Sequence, residues 1–259
     1  MTHAQRIQAA GRVAGWHLLL SLVAVLGCAF LVFGFWYPSP YHQMLGIWRV
    51  MALLAMVDVI CGPLLTLVLY DPGKERWKWA VDLALIAAIQ LSALTYGMDL
   101  MQGNRPVFLA LEGDRFRLIQ RDHLPETPMI AKGGPFALDW SAPRAIGVRL
   151  LRPGDPGYVE SIEQAAAGVH PAFRPDRWVP YTEQVDVALQ SMKPLADLRS
   201  RANPDALRSL ESLLREKGLK EDEVGYLPLA SDMPVDWSVL ISKGDGHLVG
   251  IVAISGWAS

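Results

Sequence analysis

The sequence predicts an α-helical membrane region of three transmembrane helices followed by a soluble α+β domain, and three observations carry that reading. Hydrophobic residues fill 51 % of the 259 positions and charged residues only 19 %, a more apolar balance than soluble globular chains carry. The excess is concentrated near the amino terminus. No Lys, Arg, Asp or Glu stands between Val13 and Trp48, and only six of the 24 basic and four of the 26 acidic residues precede Met98. After Gly97 the long apolar runs give way to short ones punctuated by Gly, Pro and charge, as in strands and amphipathic helices that face water on one side. The chain is therefore read as a membrane region over 1–97 and a folded domain over 98–259.

A hydrocarbon core of about 30 Å takes roughly 20 apolar residues to cross as a helix, because every backbone N–H and C=O must find its partner within the segment. Three segments qualify: Trp16 to Trp36, Ile47 to Tyr70, and Trp77 to Tyr96. Their ends carry Trp16, Trp36, Tyr37, Trp48, Tyr70, Trp77, Trp79 and Tyr96, rings that prefer the headgroup level. A cleaved signal peptide is the rival for the first segment, since Arg6 and Arg12 precede it. The segment is long for such a leader and runs into Phe35, Trp36, Tyr37 and Pro38 where a small-residue cleavage site is needed.

Short loops orient the spans, because Lys and Arg stay on the cytoplasmic side and acids count little. The tail holds Arg6 and Arg12, and the second connection holds Lys74, Arg76 and Lys78, whereas the first connection, 37–46, holds neither type. Tail and second connection are then cytoplasmic. The third span is then expected to exit on the far side, which in a bacterium is the periplasm, and to carry the residues from about Met98 onward with it.

Two acids interrupt the spans, Asp58 near the middle of the second and Asp82 early in the third. A carboxylate in lipid costs roughly 2.5–3.5 kcal/mol on insertion scales, so each must face a partner. Two readings stand side by side. In one they pair internally with Gln90, Thr66 or each other, in protonated form, and hold the bundle together; Asp82 is also within reach of Lys74, Arg76 or Lys78. In the other they receive a polar group from a further membrane helix. Gly62 and Pro63 predict a kink in the second span that frees the carbonyl of Val59.

The soluble region opens with two strand-like runs, Pro106 to Glu112 and Arg115 to Arg121, joined by Gly113 and Asp114 as a hairpin. The Pro- and Gly-rich stretch from Pro125 to Pro143 reads as an irregular loop, and Ala145 to Leu151 as a third strand. Helices are expected over Tyr158 to Ala167, over Val185 to Ser200 with a break at Pro194, and over Pro204 to Lys217. The last is the best marked: Asn203 caps it, Pro204 suits its first position, Leu207, Leu210, Leu213 and Leu214 form one face, and Gly218 ends it. Strands return over Gly225 to Ala230, Val235 to Ser242 and Leu248 to Ser255. Strands at both ends with helices between them point to an α+β domain whose terminal strands pair.

The soluble part carries 18 basic and 22 acidic residues, a balance that argues against nucleic-acid binding. Cys28 and Cys61 both fall in the apolar spans, which leaves the domain without a disulfide or a thiolate metal site. His123, His170 and His247 are too scattered for metal-ligand spacing. Ser191 and Lys193 lie beside a proline on an expected helix and make a poor nucleophile-base pair. Asp122 and His123 read as a solvated loop pair, Lys132-Gly133-Gly134-Pro135 lacks phosphate-loop spacing, and the Lys243 to Gly246 stretch is a turn. No catalytic residue, cofactor, metal or small-molecule substrate is indicated, so the chain is expected to work by binding.

The run from Val57 to Lys74, then Val81 to Ile86, Gln90, Tyr96 and Gly97, followed by Arg105 to Glu112 and Asp114 to Phe116, resembles the TfpX/TfpZ type IV pilin accessory proteins. Gly15 to Leu18 and Trp36 to Pro38 resemble them too, while Tyr226 to Leu229 and the closing Gly256 and Trp257 do so more loosely. The resemblance implies an inner-membrane, chaperone-like factor that binds type IV pilin, assists or modulates its stability and assembly into pili, and meets the pilus assembly machinery and membrane lipid. It carries over a polar membrane motif of Asp58, Gly62, Pro63, Asp71, Pro72, Lys74 and Asp82, and Asp58, Gly62, Pro63, Asp82 and Gln90 form the candidate pilin-helix contact or bundle polar site. It also carries Arg105, Pro106, Glu112 and Asp114 as a membrane-exit motif. The alternative is a membrane-anchored periplasmic sensor or scaffold in cell-envelope assembly.

Overall fold

The computed structural model describes residues 3–138, 140, 143–231 and 236–257. The chain divides into two compact units, residues 1–104 and residues 105–259.

The first unit is helical. Helix α1, His3–Leu31, runs into a π-helical turn, Val32–Trp36, and the short α2, Tyr41–Met44, precedes α3, Ile47–Ala55. A second π-helical turn, Met56–Cys61, links α3 to α4, Gly62–Leu69, and α5 spans Arg76–Gly103. Three continuous stretches are long and apolar enough to cross a membrane: Ala4–Trp36, Ile47–Leu69 and Arg76–Gly103. The first and third are longer than the sequence predicts, because helical backbone continues past the charged and polar residues that mark the ends of the apolar runs.

The Ile47–Leu69 stretch is the middle of the bundle, with α1 and α5 each packed on it. One end closes on Val32, Trp36, Tyr37, Ile47, Met51, Leu54 and Met101, where the Tyr37 hydroxyl donates to the Met101 carbonyl at 2.7 Å. Trp36 and Tyr37, expected at the headgroup level, are packed into this core, 4 % and 0 % exposed. Trp16, Trp48, Trp77 and Tyr96 are exposed. At the other end Arg6 donates to the Val68 carbonyl at 3.2 Å and stands 3.9 Å from Asp71.

The second unit is built on one sheet of eight strands among the described residues. Strand β1, Pro106–Glu112, turns through Gly113 and Asp114 into β2, Arg115–Gln120, with Glu112 opposite Arg115. Gly113 has φ +71° and Asp114 has negative φ, the sign pattern of a type II′ turn, which glycine makes accessible. Strand β3, Arg144–Val148, lies parallel to β1, and β4, Trp178–Pro180, closes that edge.

Helices α6, Tyr158–Ala166, and α7, Val185–Ser191, follow the expected positions. The break expected at Pro194 is a two-residue strand, β5, Lys193–Pro194, leading into α8, Leu195–Arg199. Helix α9, Pro204–Lys217, has its predicted bounds; Asn203 accepts from the Ala206 N–H at 2.9 Å and Gly218 ends the helix at φ +66°.

Strands β6, Val224–Ala230, β7, Trp237–Ser242, and β8, Leu248–Val252, form an antiparallel run. Val235, the expected start of β7, lies outside the described residues. Strand β8 stops three residues before the expected Ser255 because the chain bends at Ala253. The amino- and carboxyl-terminal strands join where β2 and β6 run parallel, Phe116 opposite Leu229.

Register puts Phe108, Ala110, Ile146 and Ile119 on the same sheet face as Val224, Tyr226 and Leu240. Two clusters cover that face. One is completed by Leu124, Ile130, Phe136 and Trp178, the other by Leu195, Leu198, Leu210 and Leu214. Leu109, Leu111, Phe116, Leu227 and Val239 point the other way and are buried as well, so β1, β6 and β7 are apolar without alternation, as strands covered on both faces are. The stretch expected to be a loop, Pro125 to Pro143, has neither helix nor strand among its described residues, yet Ile130 and Phe136 within it are core.

Candidate functional site

The polar groups that the sequence places inside the spans separate into two places. Asp82 lies near the end of the bundle, where Lys74 Nζ donates to its Oδ2 at 2.7 Å and to the Leu69 carbonyl at 3.1 Å. Asp71 accepts from the Gly73 N–H at 2.9 Å and so shapes the connection. One lysine therefore caps α4 and ties it to α5. Pairing of Asp82 with Asp58, one of the expected internal arrangements, does not occur.

Asp58, Gly62, Pro63 and Gln90 come together in the interior, 4 % exposed at Asp58 and 8 % at Gln90. The local cause is the π-helical turn over Met56–Cys61. In that register the N–H of a residue reaches the carbonyl five positions back, as Gly62 does to Val57. Pro63 has no N–H to offer the carbonyl five positions before it, that of Asp58, beside the Val59 carbonyl that ordinary helical spacing points to. Gln90 Nε2 donates to the Asp58 carbonyl at 3.0 Å. Gly62 makes room: a Cβ there would stand 2.1 Å from Gln90 Nε2.

Two further residues complete the network. His17 of α1 meets Thr66 Oγ1 at 2.6 Å through Nδ1 and Gln90 Oε1 at 2.8 Å through Nε2. Since Gln90 donates through its nitrogen, its oxygen accepts from His17 Nε2–H, and in the neutral ring Nδ1 then accepts from the Thr66 hydroxyl. The result is a directed chain from Thr66 through His17 and Gln90 to the Asp58 backbone, joining all three spans. Thr66, expected as a partner of Asp58, serves His17 instead.

The Asp58 side chain stands outside this chain. Neither carboxyl oxygen makes a hydrogen bond of good geometry among the described residues, although the Gln90 amide, one of its expected partners, and the His17 ring are its polar neighbours. Beside it is a cavity of about 300 Å³ lined also by His17, Ser21 and Gln90. Sequence reasoning found Asp58, Gly62, Pro63 and Gln90 as polar or helix-breaking oddities in apolar runs. It missed His17 because the imidazole lies at the margin of the first apolar run, 73 residues from Gln90; its place in the Gly15 to Leu18 stretch was the available signal.

The residues grouped as a membrane-exit motif are a strand and its turn. The Arg105 carbonyl accepts from the Arg121 N–H at 3.0 Å, and its guanidinium lies 5.8 Å over the Trp140 ring. Pro106 opens β1. Glu112 is buried, pairs with Arg117 Nε at 2.8 Å and accepts from the Ala172 N–H at 3.3 Å. Asp114 sits at the turn, where the hydrogen bond from Arg115 holds its carboxyl below the usual range. The described residues contain no group of three or more His, Cys, Asp or Glu arranged to hold a metal.

Residues 5–46 match the profile of a family described as fimbrial assembly protein FimB. The chain is 33 % identical over 92 % of its length to a fimbrial assembly protein of serogroup E1 of Dichelobacter nodosus, covering 93 % of that protein. A serogroup I counterpart from the same organism is 32 % identical over the same shares of both chains. A shorter one, of serogroups C1 and C2, is 39 % identical over 47 % of this chain and 97 % of its own. No solved structure matches the chain.

Proposed function

The chain belongs to the fimbrial assembly protein family, which implies a role in pilus biogenesis, and on that premise we propose that it is a non-enzymatic inner-membrane accessory factor for type IV pilin. It holds the pilin before or during assembly, in a chaperone-like manner, with its spans against the pilin's membrane helix and its second unit in the periplasm beside the pilin head. The observation that carries this reading is the Asp58 carboxyl: an acid buried at the middle of an apolar helix with no well-formed hydrogen bond or basic residue at either oxygen among the described residues, where a structural acid would have one. The proposed orientation is supported by the basic residues of the tail and second connection, which the Arg6 contacts with Val68 and Asp71 bring to one end of the bundle. Contact with the assembly machinery and with lipid belongs to the same reading.

Deleting the gene should abolish or reduce surface pili while the pilin is still made, and the tagged chain should recover pilin from solubilised membranes. Normal piliation in the deletion strain would remove the proposal. The sensor or scaffold reading is favoured by one feature, a cavity of about 920 Å³ in the second unit lined by His123, Met129, Phe173 and Arg174 among others; it predicts normal piliation.

A further inference from the structure

We propose that the cavity beside Asp58 receives one basic side chain, carried at mid-membrane depth by a helix of a different protein. Asp58 stands at the midpoint of the Ile47–Leu69 stretch, and both its carboxyl oxygens are covered and without a well-formed hydrogen bond among the described residues. Its polar neighbours are engaged with one another: His17 at both ring nitrogens, Gln90 through its oxygen and one of its two amide hydrogens, Thr66 at its hydroxyl. What remains facing the cavity is Ser21 and an apolar wall of Leu20, Ala24, Ala87, Leu91 and Leu94. Ser21, Ala24 and Ala87 are small, which lets another helix backbone approach closely. The one electrostatic demand left in this wall is that of an acid for a cation, and an ammonium or guanidinium donates hydrogen bonds to carboxylate oxygens as well as charge.

The chain does not supply that cation itself. No Lys or Arg occurs between Val13 and Trp48 or between Trp79 and Asn104, and Arg49 lies at the start of its helix, so a second copy brings no Lys or Arg to the depth of Asp58. The donor therefore belongs to another membrane protein. Because the oxygens are covered, the incoming group must enter the cavity to reach them, which a solvent cation at the surface does not do. The inference rests on the membrane placement proposed above, and it does not require the partner to be pilin.

The test uses full-length protein in bilayer discs of neutral lipid and three labelled Leu/Ala transmembrane peptides, identical except for a central Lys, Asn or Leu. The Lys peptide should bind at least tenfold more tightly than the other two. Asp58→Asn should bring it down to the level of the Leu peptide and leave the Leu peptide unchanged. Equal binding of all three peptides, an Asn peptide as strong as the Lys one, or a Lys preference that survives Asp58→Asn would each overturn the proposal. Ala24→Phe, which fills the cavity and keeps the acid, should also erase the preference; if Asp58→Asn does not accumulate, this variant decides by the same outcomes. Recovery of pilin from cells is a separate readout. A Lys preference without pilin recovery removes the pilin reading and leaves this site, and pilin recovery without a Lys preference does the reverse.

Discussion

Gly62 shows how much one missing methyl group decides. The Gln90 amide is held from both sides, by the Asp58 carbonyl and by His17, and the position a Cβ would take at residue 62 overlaps it. Gly62→Ala should displace the amide, leave the Asp58 carbonyl without its donor, and destabilise the bundle by about 1–3 kcal/mol. Thermal unfolding in detergent measures this, and a Gln90→Ala background should absorb most of the effect. In the second unit Glu112 and Arg117, 8 % and 13 % exposed, form a pair between the two clusters of one sheet face. Glu112→Ala leaves a mostly buried guanidinium unpaired and should cost about 3 kcal/mol, with Glu112→Gln costing less because it still accepts from Ala172. Denaturant titration separates the two, and wild-type stability in both would refute the role. Asp58 and Gln90 were legible in the sequence as polar residues out of place. His17 and Glu112 entered only as members of the Gly15 to Leu18 stretch and the membrane-exit motif, because their roles come from partners such as Gln90 and the Ala172 N–H that the fold brings near.

Elements were legible where local signals agreed. Helix α9 has capping, amphipathic period and terminal glycine all pointing to the same bounds, and Asn203→Ala should cost about 1 kcal/mol through the lost bond to the Ala206 N–H. The π-helical turn over Met56–Cys61 was visible only as a kink, since the sequence announces Pro63 but not which carbonyl will be left over. The stretch from Pro125 to Pro143 lacks any hydrophobic period, so nothing local announces that Ile130 and Phe136 are core. The turn between β7 and β8 offers a pH test. The Tyr181 hydroxyl donates to the Gly246 carbonyl at 2.7 Å, and burial, helped by the charge of Asp245, pushes its pKa up to about 12. A phenol that holds its proton more tightly when folded stabilises the fold fully below about pH 10, and that contribution is lost as pH rises through about 12. The melting temperature should fall across this window, and Tyr181→Phe should flatten the fall; an unchanged slope would show that Tyr181 does not govern it.

At the scale of the molecule the two units make opposite demands on their surroundings. Every strand among the described residues of 105–259 finds its partners within that unit, its sheet is covered on both faces, and it contains neither cysteine of the chain. Expressed alone, it should fold as a soluble, cooperatively unfolding domain. A broad transition or strong binding of a hydrophobic dye would show instead that it depends on the helices. In residues 1–104 Leu20, Leu26, Phe30, Leu53, Leu85 and Leu91 are exposed, a surface that a water-soluble protein does not tolerate, and this unit should require detergent or lipid. If the Asp58 cavity is where the partner is held, the separately folded domain cannot substitute for the whole. Secreted to the periplasm of a deletion strain, residues 105–259 should accumulate without restoring surface pili, whereas the full chain restores them and its Asp58→Asn form does so poorly. Rescue by the domain alone would move the working surface out of the membrane.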